Sequence, residues 1–329
     1  MCAHARPPTC VGGASSTGPG CDVACASTRR RSAVSGIEDP TPQPPSPADD
    51  AFTGDLLGDP TGDREVLAAG VTVASPVTRI GPTVRRALSG RAAFVHRFLE
   101  HLESVGFEGA PRLLGQDIKG REVLTFIRGE TADPPFPSWV ADDELLVSVA
   151  ALQRDLHVAA EGFRIPRELE VLARRPSGLL ADLDGDLVCH QDLCIENVVV
   201  RDGRAHAFID FDLAGPCDPV LDIAIAARHW VPLRAPGHLG GGHAGLDDAD
   251  LQRRFAAFCD VHELDRAGRG RVVAAARRFL EAVLPAVRER ASGGHAGFTQ
   301  LWDAGYEAQN LASQRWLARY GEQLESARA

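Results

Sequence analysis

The chain has 329 residues, 44% of them hydrophobic and 24% charged, enough for one large domain or two lobes sharing a cleft. A formal net charge of −10 argues against a nucleic-acid binder held by phosphate contacts; an acidic surface suits a cationic substrate and is also a common solubility device. No stretch approaches the roughly 20 consecutive apolar residues that a membrane helix needs, so no membrane partner is expected either.

Residues 1–54 open the chain with a segment rich in Pro, Ser, Thr, Gly and Ala, carrying the run Arg29-Arg30-Arg31 and no apolar periodicity. Such a segment buries too little surface to offset its ordering entropy, and a disordered tail is expected. The eight cysteines show no CxxC pair: Cys2, Cys10, Cys21 and Cys25 lie in this tail, and Cys189, Cys194, Cys217 and Cys259 are scattered beyond it. Reduced thiols and a cytoplasmic location follow as the expectation.

Residues 55–130 read as a small sheet with one helix. Val71 to Ile80 is an interrupted strand, and Thr83-Val-Arg-Arg is a second one after a Gly81-Pro82 turn. Phe94, Val95, Phe98, Leu99 and Leu102 give residues 91–105 the stripe of an amphipathic helix. Arg112–Gly115 and Glu122–Ile127 flank a turn at Asp117–Gly120 and predict a hairpin ending at Gly129. From residue 131 to 329 the pattern turns mostly helical. Helices are predicted over 142–159, more weakly over 166–180, and near 221–230, 247–260, 268–290 and 298–320, with a Gly/His loop at 237–245.

The densest segment is 187–220. Asn197–Val200 and Ala205–Asp210 are short apolar strands around Asp202-Gly203, a strong hairpin signal. Closing that hairpin brings Asp192 and Asn197 toward Asp210. Phosphoryl transfer needs a carboxylate that orients an attacking hydroxyl and takes its proton, together with hard oxygen ligands for a phosphate-bound magnesium. Asp192 suits the base, and Asn197 and Asp210 suit the metal.

His190-x-Asp192-x4-Asn197, then Ile209-Asp210-Phe211-Asp212 and Gly215-Pro-x-x-Pro-x-x-Asp222, resembles the catalytic and metal-binding loops of the aminoglycoside phosphotransferase and choline-kinase-like family, itself similar to protein kinases. The resemblance implies an α+β, two-lobed, protein-kinase-like fold, with a small antiparallel-sheet lobe over residues 55–130 and a mostly helical lobe over 131–329. It implies an ATP- and Mg-dependent phosphotransferase acting on a small-molecule hydroxyl. His190 would hold the catalytic loop's backbone, Asp222 would brace that loop from within, and His157 would lie on the helix beneath it.

The sheet lobe departs from the family pattern. It has no GxGxxG, and the strand cation that pairs with phosphates would be Arg86, or Arg85 if the register slips by one. Where the family's helix carries a glutamate this chain offers His96 or Arg97, while Glu100 and Glu103 fall on another face. The ion pair is therefore remodelled or absent. Phe126 and Ile127 lie on the segment that resembles the interlobe hinge, whose backbone amides would meet the adenine. Asp247, Asp248, Asp250, Asp303 and Glu307 are candidates to attract a cationic acceptor, and Trp302, Tyr306 and Trp316 suit core packing better than ring stacking. A different reading is a catalytically weak relative that sequesters a peptide or toxin as a binding or immunity protein.

Overall fold

The computed structural model describes residues 64–67, 77–174 and 178–328, and the expected tail and residues 71–76 of the first predicted strand lie outside them. The described residues belong to one compact unit. Its first part is a five-stranded sheet: β1 (Arg64–Leu67), β2 (Val77–Ile80), β3 (Thr83–Arg86), β4 (Leu113–Gln116) and β5 (Glu122–Thr125), antiparallel throughout in the order β1-β2-β3-β5-β4. β1 went unread in the sequence because its four residues are nearly all exposed and carry no alternation.

Between β3 and β4 runs α1 (Ala92–Ser104), whose expected stripe of Phe94, Val95, Phe98, Leu99 and Leu102 is buried. Phe98 packs against Phe211 at 6.2 Å between ring centroids, and Phe211 lies 4.5 Å from the His190 ring. A chain of aromatic contacts thus ties the helix of the sheet lobe to the segment that carries the motif.

The second part is mostly helical. It starts with α2 (Asp143–Ala160), capped by the Asp142 side chain accepting from the Leu145 amide at 3.0 Å, as a carboxylate at a helix start should. The weak helix expected over 166–180 is only a single turn, α3 (Glu170–Ala173), preceded by a tight turn at Arg167–Leu169. Its apolar residues are too few to bury a longer face. Then come β6 (Leu187–Cys189), the hairpin β7 (Val198–Arg201) and β8 (Arg204–Phe208), and β9 (Gly215–Cys217), which pairs with β6. The helices α4 (Pro219–Trp230), α5 (Asp248–Val261), α6 (Arg266–Ser292), α7 (Ala296–Asp303) and α8 (Tyr306–Ser326) complete the fold. The single helix expected over 298–320 is two, broken at Gly305, which adopts φ +87°, a conformation glycine reaches without steric cost.

The connector after β5 is fastened to the hairpin: Glu130 and Val200 exchange backbone hydrogen bonds at 2.8 and 2.7 Å. Gly129 makes that approach possible. With φ +150°, a Cβ there would lie 2.5 Å from the Val199 side chain and 2.6 Å from the Val200 carbonyl. Among the described residues no helix is long and apolar enough to cross a membrane.

Candidate active site

The β7–β8 hairpin sets the geometry. Ile209 donates its amide to the Asn197 carbonyl at 2.9 Å, so the two ends of the ribbon close with Asn197 beside Asp210. Asn197, nearly buried, donates from Nδ2 to the Asp192 carbonyl at 2.8 Å and to its carboxylate at 3.2 Å. Asp192, Asn197 and Asp210 are therefore brought together as the motif predicted. Asp210 sits in the left-handed region with φ +62°, as does Gln191 with φ +60°. Non-glycine residues there are held by surrounding structure and concentrate at functional sites.

That surrounding structure is a buried polar frame. Asp222 is fully buried on α4 and accepts from the Gln191 amide at 2.5 Å, from Gln153 at 2.8 Å and from His157 at 2.8 Å. Burial opposes its charge, but the His157 and Gln153 hydrogen bonds outweigh that and hold its carboxyl below the ordinary range. Gln191 also donates to the Gly215 carbonyl at 2.7 Å, which clamps its strained backbone from both sides.

His190 is fully buried and donates from Nε2 to the Ile209 carbonyl at 3.0 Å. Burial lowers its pKa, so the ring stays neutral at pH 7. That contact fixes the backbone leading into Asp210.

The strand register decides between the two arginines. Arg86 opposes Glu122 across β3 and β5, and Arg85 opposes Val123. Because faces alternate along a strand, Arg85 turns inward, 1% exposed, and pairs with the buried Asp117 at 3.4 Å. Arg86 turns toward the hairpin and meets three carboxylates: Glu122 at 2.5 Å, Asp210 at 2.8 Å and Asp212 at 2.6 Å. Burial works against its charge, but Asp212, Glu122 and Asp210 together raise its pKa above the ordinary value. Burial raises the Asp212 carboxyl, with repulsion from Asp210 adding to it and Arg86 opposing.

The remodelled ion pair is now specific. Its carboxylate comes from the strand residue Glu122, not from the helix. The helix contributes His96 instead, whose Nε2 lies 2.6 Å from Glu122. Burial opposes the Glu122 charge as well, and His96 and Arg86 overcome it to lower the pKa. Neither Glu100 nor Glu103 takes part: Glu100 pairs with Arg97 on the exposed face, and Glu103 lies near Arg112. Sequence reasoning passed over Glu122 because it sits 36 residues from Arg86, and the only available signal was the pairing of the two strands.

Arg91 was also unread. Its guanidinium donates to the carbonyls of Leu172 at 2.6 Å, Asp212 at 2.8 Å, Ala173 at 2.7 Å and Ala214 at 2.5 Å. One side chain at the start of α1 therefore fastens the sheet lobe to the Asp210–Ala214 segment.

For magnesium the donor chemistry is suitable. Asp210, Asn197 and Asp212 offer hard oxygens, and the Asp210–Asp212 pair already gathers one positive charge in Arg86. At the connector, the Phe126 amide donates to the Pro82 carbonyl at 2.7 Å, and the Phe126 ring lies 3.9 Å beneath the Arg79 guanidinium. That amide is committed within the sheet and so is not free to meet an adenine. Ile127 follows it, half-buried, at the start of the path to Gly129.

Four of the five acidic residues expected to attract a cation are engaged in structural contacts. Asp247 and Asp250 form the capping box of α5, and Asp248 accepts from the Trp316 indole at 2.8 Å. Glu307 pairs with Arg288, while Asp303 is simply exposed. Tyr306 and Trp316 are buried, in keeping with core packing.

Three comparisons bear on this arrangement. Residues 159–258 match the model of the phosphotransferase enzyme family, APH. The chain is 27% identical over 258 residues, 77% of its length and 95% of the relative's, to the trifolitoxin immunity protein of Rhizobium leguminosarum bv. trifolii. In three dimensions it is similar to a choline/ethanolamine kinase family protein from Mesorhizobium loti, with TM-score 0.54 and 17% identity over 80% of this chain and 92% of that one. An aminoglycoside phosphotransferase from Alicyclobacillus acidocaldarius gives TM-score 0.48 at 16% identity, with the same coverage of both chains. The resemblance read from the catalytic loop is thus borne out: the chain carries the phosphotransferase-family signature over residues 159–258 on a kinase-like, two-lobed α+β fold.

Proposed function

We propose that the protein is an ATP-dependent phosphotransferase acting on a hydroxyl of a small molecule. The observation that carries this reading is the closed set of Asp192, Asn197 and Asp210 at one end of the β7–β8 ribbon, faced by the cation Arg86. In this reading Asp192 orients the acceptor hydroxyl and accepts its proton. The acceptor oxygen forms a bond to the γ-phosphorus as the bond to the ADP leaving oxygen breaks.

Asp210 and Asn197 would hold magnesium, which when bound would offset phosphate charge. Arg86 would exchange its carboxylate contacts for the nucleotide's phosphates, with Glu122 keeping the guanidinium stem aimed. An arginine can serve there bidentately, although it is not equivalent to lysine. Adenine contacts would come from Ile127 onward rather than from the Phe126 amide. The sheet over residues 55–130 would act as the nucleotide lobe and residues 131–329 as the catalytic and acceptor lobe.

The test is phosphoryl transfer followed by ³¹P NMR over a panel of hydroxyl compounds, with Asp192→Ala alongside. Asp192→Ala should lower turnover by about a hundred- to ten-thousand-fold and leave Mg-ATP binding in place. Wild-type turnover in that variant would remove Asp192 from the role of base.

A second reading has one specific observation behind it, the likeness to an immunity protein across nearly all of that relative's length. In this reading the chain binds a peptide or toxin and turns over little or nothing. The two meet if the toxin is itself the phosphoryl acceptor. Absence of any Mg-nucleotide binding would favour sequestration.

A further inference from the structure

The C-terminal end of α4 holds positive charge that forms no ion pair with a carboxylate among the described residues. Arg228 and His229 occupy the last turn of α4, the helix that carries Asp222, and Arg234 follows four residues after its end. Arg228 donates from Nη1 to His229 Nε2 at 3.1 Å, which requires the His229 ring to accept there. The Arg228 Nε is buried with no hydrogen-bond partner among the described residues, and its guanidinium lies 5.7 Å from the centre of the Phe279 ring. Neither Arg228 nor Arg234 forms a salt bridge among the described residues, although each keeps some surface open to solvent.

Most of the groups around this pair make the deficit worse, with Glu196 and Tyr306 opposing at Arg234. Arg234 lies within electrostatic reach of Arg228, of the Tyr306 hydroxyl and of Glu196 in the catalytic loop. Burial, then repulsion from Arg228, lowers its pKa to about 10. His229 is pushed well below its ordinary value by burial and by Arg228, Arg234 and His243. His243 falls to about 4, by burial and by Arg254 and Arg234. Both rings are neutral at pH 7. The C-terminal dipole of α4 favours a nearby cation, but that is small beside the cost of holding two like charges together where both are partly buried. Arg254, by contrast, is fully buried and has its charge met by Asp143. Its two terminal nitrogens donate to Asp143, the Ala141 carbonyl and the Trp230 carbonyl, while its Nε lacks a partner among the described residues. The chain can therefore neutralise a buried arginine, and at Arg228 and Arg234 it does not.

We propose that Arg228 and Arg234 bind an oxyanion group, a carboxylate or a phosphate, of the molecule whose hydroxyl meets Asp192. Guanidinium groups take such anions bidentately, and Arg228 retains an unused donor for one. Neutral His229, through its Nδ1, and Tyr306 supply further polar groups. Arg234 lies within electrostatic reach of Glu196, which follows the proposed base Asp192 by four residues. The inference rests on the phosphotransferase reading for the acceptor's place, and it reverses the cationic acceptor expected from net charge. Of the carboxylates counted toward a cation, Asp247, Asp248, Asp250 and Glu307 are committed to a cap, a hydrogen bond or an ion pair, whereas these cations form no ion pair among the described residues.

Calorimetric titration of the nucleotide-free protein with inorganic phosphate and, separately, with glycolate tests the site without any need for ATP. Phosphate alone binding would indicate a phosphorylated acceptor, and glycolate binding a hydroxy acid. In either case Arg228→Gln and Arg234→Gln should each weaken binding tenfold or more, and Arg228→Lys should restore part of it. Arg86→Gln, which removes the cation of the proposed nucleotide site, should leave this binding unchanged. Urea unfolding of each variant separates lost affinity from lost folding. Failure of both probes to bind saturably at tens of millimolar, or binding lost only in Arg86→Gln, would overturn the assignment. A phosphotransferase that turns over aminoglycosides but no hydroxy acid or sugar phosphate would overturn it as well, while leaving the proposed enzyme class intact.

Discussion

The molecule holds two groups of arginines built in opposite ways. Arg86 lies at a strand end among Glu122, Asp210 and Asp212, more negative charge than it can match. Arg228 and Arg234 lie at a helix end beside two neutral histidines and no paired carboxylate. The first cluster is a finished network in which a cation waits among the groups proposed to bind metal. The second is an unfinished one, and its missing member is an anion. The contrast teaches that a site is better recognised by its unmet chemistry than by the net charge of the chain, which pointed toward a cationic ligand.

The sharpest way to break the contrast is to damage the finished network. Glu122→Ala strips Arg86 and His96 of a 2% exposed carboxylate and should cost about 3 kcal/mol in urea unfolding, because a buried partner is removed while its cation stays. A cost under about 0.5 kcal/mol would mean that Asp210 and Asp212 alone satisfy Arg86.

A second test uses the inward arginine of the same strand. Asp117, beside Arg85, is held at about 2 against an ordinary 3.8: burial opposes the charge, but Arg121 and the amides of Lys119 and Arg121 outweigh it. Because the folded value is the lower one, this stabilisation is complete above the ordinary carboxylate range and disappears as pH falls toward 2. It amounts to about 2 kcal/mol. The urea midpoints of wild type and Asp117→Asn should differ most near neutral pH and converge in acid. A constant gap would exclude titration as the cause.

The unfinished cluster should respond in the opposite sense. Arg228→Gln or Arg234→Gln relieves repulsion between partly buried cations and should leave stability unchanged or raise it by about 1 kcal/mol. A loss as large as that of Glu122→Ala would show that these arginines are structural after all.

How much of this the sequence carried differs along the chain, for a physical reason. From His190 to Asp222 the spacing itself dictates the geometry, since an Asp-Gly turn closes a hairpin and its ends must meet. Asp192, Asn197 and Asp210 could therefore be read from residue order, whereas the bracing Asp222 and the supporting His157 came from the family resemblance. In the sheet lobe the decisive contact joins Arg86 to Glu122 across two strands, and only the register shows which arginine faces inward. Arg91 was opaque because its four acceptors are backbone carbonyls, which no side-chain pattern marks. The Arg228–Arg234 cluster was invisible for a related reason: the sequence lists charges, but only the fold tells which of them lack partners.

The most direct test of the central claim is the melting temperature with and without Mg-ATP, for wild type and Asp210→Asn side by side. At about 100 times its dissociation constant a ligand adds about 2.7 kcal/mol of stability, which should raise the wild-type midpoint by roughly 5 °C or more. The account predicts that shift, its dependence on magnesium, and its loss in Asp210→Asn. No shift at millimolar Mg-ATP, or an equal shift in both proteins, would contradict a nucleotide site built on Asp210.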